Sequence, residues 1–306
     1  MKPLFVHVGL PRAGSTFFQN RIFAEKQGLR YVGKSRADYP RWLMEWHYLS
    51  EYEFSQNEAR IRSALQDQLS DTLPNLLSSE MFTMWGGRTS DQAKRLFRLV
   101  PDARIIMILR EPLSRMLSFY KAIVEHDGFF QPLKEMIDWK VLPFVDYKRR
   151  PIQIHDFQYD SMVAAYQSLF GRSNVCVLRL EDMESETGGF WEKLSEFTDL
   201  AFGERERGRT PERLNASLGL ESVSQKRREN LRRTMSSVIF QEQTAFVPDL
   251  QDSWIEDDLL PRRLRKEITH ALRGKCSHYL APTDPLSNPA REEIHSLDDE
   301  CVLVGH

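Results

Sequence analysis

No stretch of this 306-residue chain comes near the roughly eighteen consecutive apolar residues that cross a bilayer. No signal-peptide pattern precedes the first apolar run either. The expectation is a cytoplasmic protein without an integral membrane segment. An excess of one charge is missing too: 42 Lys and Arg stand against 44 Asp and Glu, a net charge of −2. That removes the electrostatic case for nucleic acid as a partner. Cysteine is scarce, and Cys176, Cys276 and Cys301 lack metal-ligand spacing. Their odd number points to free thiols in a reducing compartment. Cys176 lies inside an apolar run and reads as an inert buried residue. There is no internal repeat and no low-complexity block.

What is present is an ordinary globular composition, 41% hydrophobic and 28% charged, in a chain long enough to bury a sizeable core. Apolar runs at residues 4–8, 75–79, 104–109 and 174–180 read as buried strands. Between them, apolar residues recur at helical spacing. Ala93, Leu96, Phe97 and Val100 form one such set, with Ser90 as the expected N-cap. Leu113, Met116, Leu117 and Tyr120 form a second, opened by Pro112. Tyr159, Met162, Val163 and Tyr166 form a third, closed by Gly171, and Phe190, Leu194 and Phe197 a fourth. Helices are also expected over residues 17–25, 223–240 and 261–273. Strand–helix alternation of this kind predicts an α/β fold with a mostly parallel central sheet flanked by helices, a three-layer sandwich. Sites in such sheets lie beyond the carboxyl ends of the strands.

The first strand runs into GLPRAGST, residues 9–16. Strand, glycine turn and helix form a phosphate-binding loop, with amides and the positive helix end facing an anion. A Walker A loop reads GxxxxGK[ST]. Here Ser15 stands where that lysine belongs, and the cation is Arg12, inside the loop. ATP or GTP hydrolysis is disfavoured on that ground. A second unusual residue is Arg110, which ends the apolar strand 104–109. A charge there needs an anion or a salt bridge, for which Glu111 and Glu181 are the candidates. Ser118 lies on the next helix, on the face opposite the 113/116/117/120 stripe.

Arg12 with its loop, and ARIIMILREPLSRMLSFY from residue 103 to 120, together resemble the two nucleotide segments of sulfotransferases with the P-loop-type fold. The resemblance implies a co-substrate, 3′-phosphoadenosine 5′-phosphosulfate (PAPS). It implies that Pro11, Arg12, Ala13, Gly14, Ser15 and Thr16 hold the 5′-phosphosulfate, and that Arg110 and Ser118 hold the 3′-phosphate. Arg12, where many members carry Lys, would stabilise charge on the leaving phosphate. No metal is needed. The acceptor, a small molecule or a saccharide, would offer a hydroxyl or an amine. Two departures stand out. The family's RKGxxG segment is not evident, and the strand end that carries a catalytic His in cytosolic members here carries Glu80.

Glu80 is thus the first candidate for the general base, unless it caps a helix or pairs with an Arg. His47, between Trp46 and Tyr48, is the second; a pocket-lining or structural place is its other reading. His7, inside the first strand, reads as core. VLRLEDM, residues 177–183, reads as architectural. Asn215 and Ser217 are weaker nucleotide candidates. Lys226, Arg227 and Arg228 either close over the nucleotide or form a solvated helix face. The expected layout is one domain over residues 1–282, with an insertion near 126–156 beside the acceptor pocket and a polar tail at 283–306. Two rivals stay open: a nucleotide kinase or NTPase, and a non-catalytic nucleotide- or sulfate-binding module.

Overall fold

The computed structural model describes residues 2–33, 40–83, 89–139, 152–183, 189–203, 206, 220–239 and 260–276. Asn215, Ser217, Cys301 and the polar tail lie outside them, as do residues 140–151 of the expected insertion.

Four strands form where the apolar runs lie: β1 (Leu4–His7), β3 (Asn75–Ser78), β4 (Arg104–Leu109) and β7 (Val175–Arg179). A further edge strand, β2 (Arg30–Gly33), was not anticipated. It is four residues long and only Val32 is buried, so it carries no apolar run to read. All five strands are parallel, in the order β2-β3-β1-β4-β7. From β1 the chain runs to the edge strand β2, returns inward to β3, then crosses to β4 and β7 on the other side of β1. β1 lies at that switch, where the crevice of an open α/β sheet opens.

Alternation along the strands sorts the core into layers. Val6, Val8, Leu77, Ile105 and Met107 face α2 (Arg41–Tyr48), α3 (Glu51–Gln66), α4 (Thr89–Leu99) and α7 (Tyr159–Phe170) through Trp46, Phe54, Leu96 and Tyr166. Phe5, Leu76, Ile106 and Ile108 face the other way, toward Phe17, Phe18, Phe23 and α8 (Phe190–Thr198). The three-layer α/β sandwich is therefore present.

Two helix starts differ from expectation. α4 begins at Thr89, so Ser90 sits inside the first turn and is not its cap. The helix after the loop is one α-helical turn, α1 (Ser15–Phe17), followed by a π-helix, Phe18–Phe23. Phe18 and Phe23, five residues apart, both pack on His7, with ring centroids 6.3 and 5.2 Å away. The wider π turn brings that pair onto one face, and such turns recur at functional sites.

A third cluster closes the carboxyl end of the sheet. Leu10, Leu109, Met116 and Tyr120 pack there with α6 (Leu133–Met136) and the two-residue parallel strands β5 (Ile137–Asp138) and β6 (Ile152–Gln153). Val223 of α9 (Leu220–Ile239) and Leu264 and Ile268 of α10 (Arg262–Leu272) complete it. The described ends of the expected insertion therefore contribute core: Leu133, Met136, Ile137, Ile152 and Ile154 are all buried.

Candidate active site

Three strand ends meet at the switch. β1 delivers the loop, β3 delivers Glu80 and β4 delivers Arg110, and the register aligns them, His7 pairing with Ser78 and with Ile106. Gly9 makes the approach possible. Its φ is 89°, and a Cβ there would lie 2.8 Å from the Glu80 Cα. Gly9→Ala should therefore combine left-handed strain with a backbone clash, costing about 1–3 kcal/mol. A drop in melting temperature checks it; an unchanged transition would mean the loop is not seated against Glu80.

The loop ties itself to that carboxylate. Ser15 Oγ donates to Glu80 Oε2 at 2.5 Å. Ser79 caps the short 3₁₀ turn Glu80–Phe82 by accepting from the Met81 amide, so the cap is Ser79 rather than Glu80. Gly14, at φ 77°, starts α1 with no side-chain cap, and Leu180 closes against it. The 177–183 segment is thus a buttress, as its architectural reading expected.

The cations lie on the other wall. Arg12 Nε donates to Ser118 Oγ at 3.1 Å, and Arg110 Nη1 donates to the Arg12 carbonyl at 3.0 Å. The salt-bridge partners proposed for Arg110 are engaged elsewhere. Glu181 accepts from the Glu111 amide, and Glu111 caps α5 (Pro112–His126) through the Leu113 and Ser114 amides. Among the described residues neither Arg12 nor Arg110 has a carboxylate within 4 Å. Burial first, then Arg110, lowers the Arg12 pKa, with Glu80 and Glu125 acting the opposite way. Lys121, one turn beyond Ser118 on α5, is lowered by burial and by Arg110. Like charges held this close, without a carboxylate paired to either arginine, fit a multiply charged anion.

The sequence placed Ser118 opposite the apolar stripe of α5, which holds, but that face is buried as well. It lies against the loop, together with Arg115, which the sequence reading passed over. Arg115 and Ser118 are three apart, the spacing of one helix face, and that was the available signal. Lys121 follows the same spacing.

His47 stands behind the site. Its Nδ1 pairs with Gln92 Oε1 and its Nε2 with Ser79 Oγ, each at 3.1 Å, and Phe82 packs edge-on against its ring at 4.8 Å. Burial pushes its pKa down to about 4. With both nitrogens engaged inside the core, its geometry is that of the structural reading. His7 is wholly buried, bonded to Ser78 and pushed down to about 3 by burial. Arg227 corrects the solvated-face reading of residues 226–228. It is 2% exposed and donates to the Phe130 carbonyl, because α9 turns that side toward α5. Lys226 pairs with Glu229.

Among the described residues no group of three or more His, Cys, Asp or Glu is placed to hold a metal ion, and no helix is long and apolar enough to cross a membrane. Both described cysteines are free; Cys276 is buried, whereas Cys176 is half-buried rather than fully buried as expected, and burial pushes the Cys176 and Cys276 thiols up to about 12 and about 11.

Comparison with known proteins adds three findings. Residues 3–204 match the family model described as the sulfotransferase family. No curated protein matches the chain in sequence. Among solved structures, a sulfotransferase from Alicyclobacillus acidocaldarius aligns at 17% identity and a TM-score of 0.47, over 78% of this chain and 96% of that one. The sulfotransferase domain of the curacin biosynthetic pathway aligns at 14% and 0.44, over 89% and 97%. Mouse sulfotransferase SULT7A1, solved with PAP, aligns at 9% and 0.37, over 96% and 89%.

Proposed function

Because the chain belongs to the sulfotransferase family, we propose that it moves a sulfuryl group from PAPS to a hydroxyl or amine of a small-molecule or saccharide acceptor. The observation that supports this most directly is the Arg12–Ser118 contact, with Arg110 bonded to the Arg12 backbone. It joins the loop that would meet the 5′-phosphosulfate to the strand end and helix that would meet the 3′-phosphate. Two guanidiniums without ion-pair partners fit a ligand with phosphates at both ends of its ribose, a feature that PAPS has and ATP lacks.

PAPS supplies the sulfuryl group when bound and leaves as 3′-phosphoadenosine 5′-phosphate (PAP). As the acceptor oxygen or nitrogen bonds to sulfur, the bond between sulfur and the bridging oxygen breaks, and its electron pair stays on the phosphate. Arg12 stabilises that growing charge. A guanidinium does not give up its proton here, so its part is electrostatic. Its Nε is engaged by Ser118, and its terminal nitrogens have no hydrogen bond among the described residues. Glu80 takes the acceptor proton, its carboxylate being oriented by Ser15. His47 supports Glu80 from behind, through Ser79. Arg110 and Ser118, with Lys121 beside them, hold the 3′-phosphate.

Calorimetry tests the donor. PAP should bind more tightly than AMP or ATP by about 2–4 kcal/mol, the worth of charge-assisted contacts to the 3′-phosphate. Equal affinity for ATP, or binding that requires Mg²⁺, would sink the proposal.

A further inference from the structure

Arg12 is one of two non-glycine residues among those described with positive φ, at 67°. For a side chain with a Cβ this left-handed backbone is unfavourable by roughly 1–2 kcal/mol. It persists only where surrounding contacts impose it. The contacts here are two guanidiniums, each holding one of two consecutive carbonyls. Arg110 holds the carbonyl of Arg12 itself. Arg115 Nε donates to the Pro11 carbonyl at 2.9 Å, and its Nη1 donates to the Asp156 carbonyl at 2.8 Å. The buried Arg115 guanidinium lies over two aromatic rings, 4.7 Å from the Phe157 ring centre and 5.8 Å from that of Tyr159. Tyr159 in turn donates its hydroxyl to the Arg110 carbonyl at 2.8 Å. Arg115 is 4% exposed, and a charge so placed is costly without a task.

We infer that Arg115 is a positioning residue for the transfer reaction: it anchors the Pro11 carbonyl to the 154–157 turn and so fixes the backbone that aims Arg12. Arg115 touches neither donor nor acceptor. It acts through Arg12, by keeping the Pro11–Arg12 peptide turned so that its carbonyl points into the core and away from the anion. A planar fork is required, because one group must satisfy two carbonyls from different segments at once; a lysine ammonium reaches them with less geometric control. The inference rests on the reading of Arg12 as the cation at the leaving phosphate.

Arg115→Met and Arg115→Lys test it, alone and combined with Arg12→Ala. Arg115→Met should lower turnover by about ten- to a hundredfold, the usual consequence of misplacing a catalytic group by an ångström. The acceptor KM should be unchanged. In the Arg12→Ala background the same change should lower turnover by less than about threefold, because a residue that acts through Arg12 has nothing left to aim. Multiplicative losses in the double variant would overturn the inference. Hydrogen exchange in nucleotide-free protein gives a second reading. The peptide covering residues 9–16 should exchange at least about tenfold faster in either variant, with peptides of β4 unchanged. Unaltered exchange in the loop would also overturn it. Should Arg115→Met fail to fold, Arg115→Lys, which keeps the charge, decides by the same two measurements. A wild-type protein that does not bind PAP would sink the donor assignment instead, and loop exchange would still decide what Arg115 does.

Discussion

Arg12→Ala should lower turnover by at least about a hundredfold with the fold intact, on the scale of removing one donor from an oxyanion site. Arg12 already sits at φ 67°, so an alanine there inherits the same left-handed strain and adds none. What is lost is the guanidinium and its bond to Ser118. The effect should therefore fall on turnover, with a small change in melting temperature. Arg12→Lys should recover part of the rate, because an ammonium still places positive charge near the leaving oxygen. Arg12→Gly separates the two contributions most clearly. It relieves the backbone strain while removing the cation, so its melting temperature should exceed that of Arg12→Ala while its turnover is equally low. Steady-state rates at saturating PAPS, measured beside thermal melts, check all three. Near-normal turnover in Arg12→Ala would mean that the cation of the loop is not the catalytic one.

Glu80→Gln should lower turnover by about a hundredfold or more, within the range for losing a general base. The amide is nearly isosteric, and its oxygen can still accept the Ser15 hydroxyl that Glu80 Oε2 accepts now at 2.5 Å. Gly9 would still pack on the same Cα. Folding and PAP affinity should thus be close to wild type, which isolates the proton transfer. His47→Ala is the informative partner. It leaves buried Gln92 and Ser79 short of a hydrogen bond, a cost of about 1–3 kcal/mol. It should therefore melt earlier yet retain turnover when assayed well below its transition. A stable His47→Ala protein without turnover, next to an active Glu80→Gln protein, would move the base to His47.

Much of this protein is local in the chain. Four of the five sheet strands are apolar runs bounded by polar residues, and the helices that cover them carry apolar stripes at helical spacing. Pro112 opens α5 and Gly171 closes α7 where the sequence put them. The loop residues 9–16, Glu80 and Arg110 are each placed by the end of a strand, so the parallel order of the sheet brings them to one crevice. β2 escaped notice because an edge strand with one buried side chain has no periodic signal to offer. The π-helix escaped because its cause, two phenylalanines against His7, lies across the fold.

Four of the five sheet strands, the loop and the identity of its cation are legible in the chain alone, since strand periodicity, a glycine turn and a displaced Walker lysine are short-range features. What each polar side chain does depends on partners far away in the chain. Ser15 meets Glu80 across 65 positions, Arg12 meets Ser118 across 106, and Arg115 meets Pro11 across 104. Tertiary packing also turned Arg227 inward and enclosed His47 between Gln92 and Ser79. The reason is physical. A strand or a helix is specified by the spacing of its own residues. The partner of a long guanidinium or an imidazole is set by whichever carbonyl or hydroxyl the packed layers leave within about 3 Å of it.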